Sequence, residues 1–223
     1  MKIQTNNRGA SHGPRRGISL VEILIAVTIL ASLLGSIALV SLSAKGAFSR
    51  GSTRSSVELR SGIAMGAVLT ELRMARFESI VPALAPGVGS PQIGYMLVLD
   101  WDGNDVVESE RRVLRWEIEA GEALDNVDND GDGLIDEGQL VLIEDFGLAT
   151  QSRRLLARGV AELQEGELPN GIDDNGNGLI DEPGFVVELR GATLDVTLTL
   201  LDSTMDGEEI IARTVRSSTL LRN

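Results

Sequence analysis

The side chains with the most chemical potential in this 223-residue sequence are carboxylates and amides on two short segments. Asp125 to Glu137 reads DNVDNDGDGLIDE, Asn170 to Glu182 reads NGIDDNGNGLIDE, and the two align without gaps. In the first, Asp128, Asp130 and Asp132 alternate before Gly133; in the second, Asp173, Asn175 and Asn177 alternate before Gly178. Alternate side chains on a tight turn converge their oxygens around one hard cation, while glycine permits the bend and the next carbonyl becomes a ligand. Leu134 and Leu179 would offer that carbonyl. Asp136 with Glu137, and Asp181 with Glu182, would close the shell directly or through water. Oxygen donors without sulfur or imidazole favour calcium over transition metals, as one or two ions. Loop one has three carboxylates at its alternate positions against one in loop two, and is expected to bind more tightly. Turn chemistry alone also selects Asp, Asn and Gly, so solvated turns are the competing reading.

The spacing D-x-[DN]-x-[DN]-G resembles the opening of an EF-hand loop. Gln139 and Gly184 stand where that loop carries its bidentate glutamate, and no flanking helices are evident. The pattern is more similar to the shorter calcium loops of thrombospondin type 3 and dockerin-like repeats, which implies Asp125 and Asn170 as further ligands.

A different kind of carboxylate stands near the amino terminus. Residues 1 to 17 carry Lys2, Arg8, Arg15 and Arg16 and no acid, and Ile18 to Ala44 then run as 27 residues with one charge, Glu22. As a helix that run rises about 40 Å, enough to cross a hydrocarbon core of roughly 30 Å. The arginine pair before it and the mostly acidic chain after it predict an amino terminus in the cytoplasm and a domain outside. A carboxylate inside a bilayer costs about 2.5 kcal/mol or more unless partnered, so Glu22 demands an explanation. A simple signal anchor with Glu22 near the headgroups is the plainest one.

The order RRG, then ISLVE, then a long apolar run resembles the prepilin signature of type IV pilins and type II secretion pseudopilins. The resemblance implies cleavage by a membrane peptidase after Gly17, methylation of the new amine on Ile18, and pairing of Glu22 with the terminal amine of a neighbouring subunit. Ile18 departs from the usual phenylalanine. Implied partners are other pilin or pseudopilin subunits, the prepilin peptidase, the inner-membrane assembly platform, and the membrane before assembly. Implied localisation is the inner membrane, single-pass, with the globular domain periplasmic or extracellular and filament-associated after assembly.

These residues must be positioned by an α+β fold. Residues 1–17 form the leader, 18–44 the transmembrane and polymerisation helix, and 45–80 an amphipathic continuation with apolar positions from Phe48 to Ile80. Gly46, Gly51, Gly62 and Gly66 weaken that helix by about 1 kcal/mol each against alanine and predict a bend or local melting. Val81 to Pro91 breaks it. Residues 93–223 read as a β-rich domain: a hairpin around Asp102-Gly103-Asn104, strands over Val113–Ile118 and Gly138–Phe146, an alternating strand from Thr193 to Leu200, and a return strand after Asp206-Gly207. Pilin-like subunits share this design, a long helix packed on an antiparallel sheet. The order of VLRWEIEAG, GQLVLIED, RRLLARGVAELQ and a closing LRN is similar to PilW-like minor pilins and J-type minor pseudopilins.

Composition excludes several alternatives. There is no cysteine, and the only histidine is His12 in the leader, so cysteine nucleophiles, thiolate zinc sites and histidine triads are ruled out for the rest of the chain. A formal charge of -13 argues against nucleic acid as partner and favours cations. Aromatics at 3% leave no platform for a sugar, which disfavours a carboxylate-pair glycosidase and leaves a structural subunit, not an enzyme, as the expectation. A membrane-anchored calcium-dependent adhesin or ligand-binding protein exported through the prepilin pathway is the alternative.

Overall fold

The computed structural model describes residues 17, 19–84, 89–103, 105–176, 180–205, 207 and 209–222. The leader before Gly17, together with Ile18, Asn177, Gly178 and Leu179, lies outside the described residues. The chain divides into two compact units, Met1–Ala47 and Phe48–Asn223.

In the first unit the dominant element is the amino-terminal part of helix α1 (Leu20–Leu72). Ser19 caps it, accepting on Oγ the amide of Val21 at 3.3 Å. Glu22 stands three residues after the cap, the spacing of a capping box, where a negative charge also complements the helix dipole. All side chains from Ser19 to Lys45 are exposed. Three hydroxyls within this stretch are closed off internally: Thr28 donates to the Ile25 carbonyl at 2.8 Å, Ser32 to Ile29 at 2.9 Å and Ser36 to Ser32 at 2.9 Å. An exposed apolar surface with hydroxyls folded back onto their own helix suits a lipid solvent.

In the second unit, α1 buries Ser49, Thr53, Val57, Ser61, Ala64, Met65, Val68 and Leu72. Steps of three and four put these on one face. The four glycines do not break the helix, and added methyl groups at them would meet open space. The helix ends at Leu72, short of residue 80, because the next backbone groups pair with the sheet: the Met74 carbonyl accepts from Val98 N at 3.0 Å and Arg76 N donates to the Met96 carbonyl at 2.9 Å. A 3-10 turn, Phe77–Ser79, follows.

The strands are β1 (Gln92–Tyr95), β2 (Val98–Trp101), β3 (Val106–Glu108), β4 (Arg112–Ile118), β5 (Gly138–Glu144), β6 (Ser152–Val160), β7 (Phe185–Arg190), β8 (Thr193–Ser203) and β9 (Ile210–Leu220). Seven form one antiparallel sheet in the order β1-β4-β5-β6-β8-β7, with β9 also paired to β8. The predicted hairpin is the separate β2-β3 pair, with Asn104 outside the described residues. The alternation expected over residues 193–200 holds, with Leu194, Val196, Leu198 and Leu200 buried. They meet Val57, Ala64, Val68 and Leu72 of α1 in one core with Ile93, Tyr95, Leu114, Leu140, Leu142, Phe185 and Val187. Each aliphatic side chain buried there contributes about 1.5–3 kcal/mol. This is the long helix on an antiparallel sheet expected of an α+β, pilin-like chain. Glu71 pins the helix end to the sheet through Arg112 at 2.9 Å and through Arg154, and Arg112 also reaches Glu144 at 2.8 Å.

Candidate functional site

The two acidic loops are strand connections. Residues 119–137 join β4 to β5, and residues 161–184 join β6 to β7. Each is pinched shut by backbone bonds: loop one by Glu119 N to the Glu137 carbonyl at 3.2 Å, and loop two by Gln164 N to the Glu182 carbonyl at 2.8 Å and Gly184 N to the Glu162 carbonyl at 2.8 Å. Backbone signs also repeat: Gly121 and Gly166, Asn126 and Gly171, Gly131 and Gly176, and Asp136 and Asp181 all have positive φ. Over the described residues the loops are therefore two copies of one backbone motif.

The structure gives the predicted site residues distinct tasks. Asp136 turns back to accept the amides of Asp125 at 2.9 Å and Asn126 at 2.9 Å; Asp181 does the same for Asn170 at 3.3 Å and Gly171 at 2.9 Å. These aspartates clasp the loop. Asp125 accepts from Val127 N at 3.1 Å, and Asn170 from Ile172 N at 2.8 Å, both as turn-forming side chains. Asp128 accepts Gly131 N at 2.6 Å and Gly133 N at 3.0 Å, and Asp173 accepts Gly176 N at 2.7 Å. Asp130 accepts Asp132 N at 3.1 Å and Asp132 accepts Leu134 N at 2.9 Å. Leu134 is buried. Asn177 and Leu179 lie outside the described residues.

Asp128, Asp130 and Asp132 each offer a carboxylate oxygen within 4.8 Å of the others, as their alternation predicts. A second triad, Glu122, Asp130 and Glu137, meets the same limit. Glu137 is 0% exposed, and both its carboxylate oxygens are buried without a hydrogen-bond partner. Burial, and then the charges of Asp132, Glu122 and Asp130, push its carboxyl up to about 7. Burial raises Asp132 as well. A carboxylate so placed is costly unless a cation or proton neutralises it.

Glu122 is the member that the motif did not contain. Its Oε1 accepts Asn129 N at 2.9 Å and Asp130 N at 2.8 Å, and its Oε2 is buried without a partner. Glu167 is its counterpart in loop two, accepting Asn175 N at 3.0 Å on Oε1. The signal was present in the sequence: the repeat begins four residues before Asp125 and Asn170, as Gly121-Glu122 and Gly166-Glu167. The glycines are needed there, since a Cβ on Gly121 would lie 3.1 Å from the Asp130 Cβ and one on Gly166 3.2 Å from that of Asn175.

Loop one also leans on the rest of its unit. A Cβ on Gly133 would lie 2.6 Å from Ser203 Oγ of β8, and one on Gly159 of β6 would lie 3.4 Å from Leu134. Arg60 of α1 reaches the same region, with Asp202 at 3.3 Å and the Arg158 carbonyl at 2.9 Å. Loop order is thereby tied to where helix and sheet meet.

At the other candidate site, Gly17 and Glu22 are exposed at the head of the apolar helix, while Ile18 lies outside the described residues. α1 is long and apolar enough to cross a membrane. No curated protein and no solved structure matches the chain. Residues 13–38, which span Gly17, Glu22 and most of the apolar run, match the prokaryotic N-terminal methylation motif, and this supports a prepilin-processed protein of pilin or pseudopilin type.

Proposed function

We propose that this chain is a minor subunit of a type IV pilus or a type II secretion-like filament, of the PilW-like or J-type kind, and acts by assembly and not by catalysis. The prepilin peptidase cuts after Gly17 and the new amine of Ile18 is methylated. The apolar helix holds the subunit in the inner membrane, amino terminus in the cytoplasm and β-domain outside. The assembly platform then draws it into the filament, where Glu22 pairs with the terminal amine of a neighbour and sets the axial register. Calcium on the acidic loops fixes the β-domain, which has no disulfide to do so.

One observation carries this reading: the methylation-motif match at residues 13–38 coincides with a helix whose apolar side chains are all exposed from Leu20 to Leu42. An apolar surface this large and exposed needs lipid or the helices of other subunits. The test is co-expression with the peptidase and the assembly platform. The chain is expected in the sheared filament fraction when the peptidase is active, and in the membrane fraction when it is deleted. A chain that stays in the membrane under both conditions is an anchored binding protein instead.

A further inference from the structure

The two loops share a backbone and differ in what their buried carboxylates face. In loop one, Glu122 Oε2 and both oxygens of Glu137 are buried without a partner, and together with Asp130 they form a triad whose oxygens lie within 4.8 Å of one another. That span suits a cation held at about 2.3–2.6 Å from each oxygen. Asp130 is exposed, so the triad opens to solvent on that side and gives the ion an entry path. Asp128 has both oxygens committed to the amides of Gly131 and Gly133. The alternating aspartates thus shape the turn, and the unmet demand for positive charge lies behind it.

In loop two, among the described residues, most of that demand is met from within. Glu167, in the place of Glu122, accepts Asn175 N on one oxygen at 3.0 Å and Asp181 N on the other at 3.2 Å. Asn175, a neutral amide, stands in the place of Asp130. Glu182, in the place of Glu137, keeps an interaction of its own, with only its Oε2 buried outside any hydrogen bond, where Glu137 has both oxygens so placed. A backbone amide does in loop two what a cation would do in loop one.

We infer that the chain binds one calcium ion, through Glu122, Asp130 and Glu137 of loop one, and that loop two is an ion-free copy closed by the Asp181 amide on Glu167. This rests on the calcium reading above and sharpens it from one or two ions to one, at a site centred outside the alternating motif. Magnesium is disfavoured, because it demands near-octahedral geometry and keeps most of its water.

Titrating calcium chloride into the full-length chain in detergent micelles, by isothermal calorimetry, tests it. The expected stoichiometry is one ion per chain. Glu122→Gln should weaken binding by about tenfold or more, the loss expected when a direct charged ligand is removed, and Glu167→Gln should leave it unchanged. Asp130→Asn guards against a folding defect in Glu122→Gln: it is exposed, copies the residue that loop two tolerates, and should weaken binding comparably. Two ions per chain, or equal losses from Glu122→Gln and Glu167→Gln, overturn the one-site assignment and leave calcium in place. Wild-type chain that shows neither binding heat nor a calcium-dependent melting shift overturns the calcium reading itself.

Discussion

Replacing Glu22 by alanine will leave the chain in the membrane and take it out of the filament. Removing a carboxylate from a helix that enters lipid lowers the insertion cost by about 2.5–3.5 kcal/mol, so the anchored form loses nothing. Assembly is different, because packed apolar helices slide past one another unless a polar pair fixes their register. Loss of even about 1.4 kcal/mol at each subunit joint lowers incorporation about tenfold. The expected result is unchanged membrane-fraction signal with sheared-fraction signal at a tenth or less. Because Glu22 also stands at capping-box distance from Ser19, alanine alone could act by fraying the helix start. Glu22→Gln separates the two effects: glutamine keeps the capping geometry and removes the charge. Loss of assembly in both variants assigns the effect to charge; assembly by Glu22→Gln at wild-type levels assigns it to the cap and removes the proposed amine pairing.

The second large effect is on the β-domain. A ligand that binds only the folded form at a hundred times its dissociation constant stabilises by about 2.7 kcal/mol. For a domain the size of Phe48–Asn223 this corresponds to a melting shift of roughly 5–10 °C. Excess chelator is therefore expected to lower the melting temperature by that amount at pH 7.5, and calcium to restore it. An unchanged curve removes calcium from the fold. The pH dependence has a definite sign. With chelator present, Glu137 holds a proton up to about 7, whereas the same side chain titrates near 4.5 when solvated. The folded form binds that proton more tightly, so this site contributes stability that is fully present below about pH 4.5 and lost as pH rises through about 7. Glu137→Gln should flatten that slope and raise the metal-free melting temperature at pH 8, an effect of about 1 kcal/mol after allowance for solvation. The same substitution should abolish the calcium response. A merely structural glutamate would change both conditions in the same direction.

Much of this arrangement was legible in the sequence because local signals and tertiary demands agreed. The alternating residues 193–200 became β8, and the repeat in register became two loops of one backbone. Where the sequence misled, long-range pairing overrode local preference. Arg73 to Arg76 are good helix formers, yet the backbone from Met74 to Arg76 is taken by Met96 and Val98, and the helix stops at Leu72. Gly46 to Gly66 should have weakened the helix, but the stripe from Ser49 to Leu72 is buried against the core, and packing outweighs a cost of about 1 kcal/mol per glycine. RRLLARG, for which the sequence alone predicts no element, is strand β6, because β5 pairs along it from Gly138 to Glu144. Glu122 was missed for another reason. A motif read from its aspartates starts at Asp125, although the repeat extends back to Gly121-Glu122, and the folded loop adds the reason, a buried Glu137 that demands charge beside it.

Under the proposed assembly, removal of the leader exposes an amine for Glu22. The most direct measurement is the mass of the amino-terminal peptide of chain recovered from cells with an active prepilin peptidase. The expected peptide begins at Ile18 and carries one added methyl group on its amine. A recovered chain that still holds residues 1–17, or one cut on the far side of the apolar run, contradicts the claim.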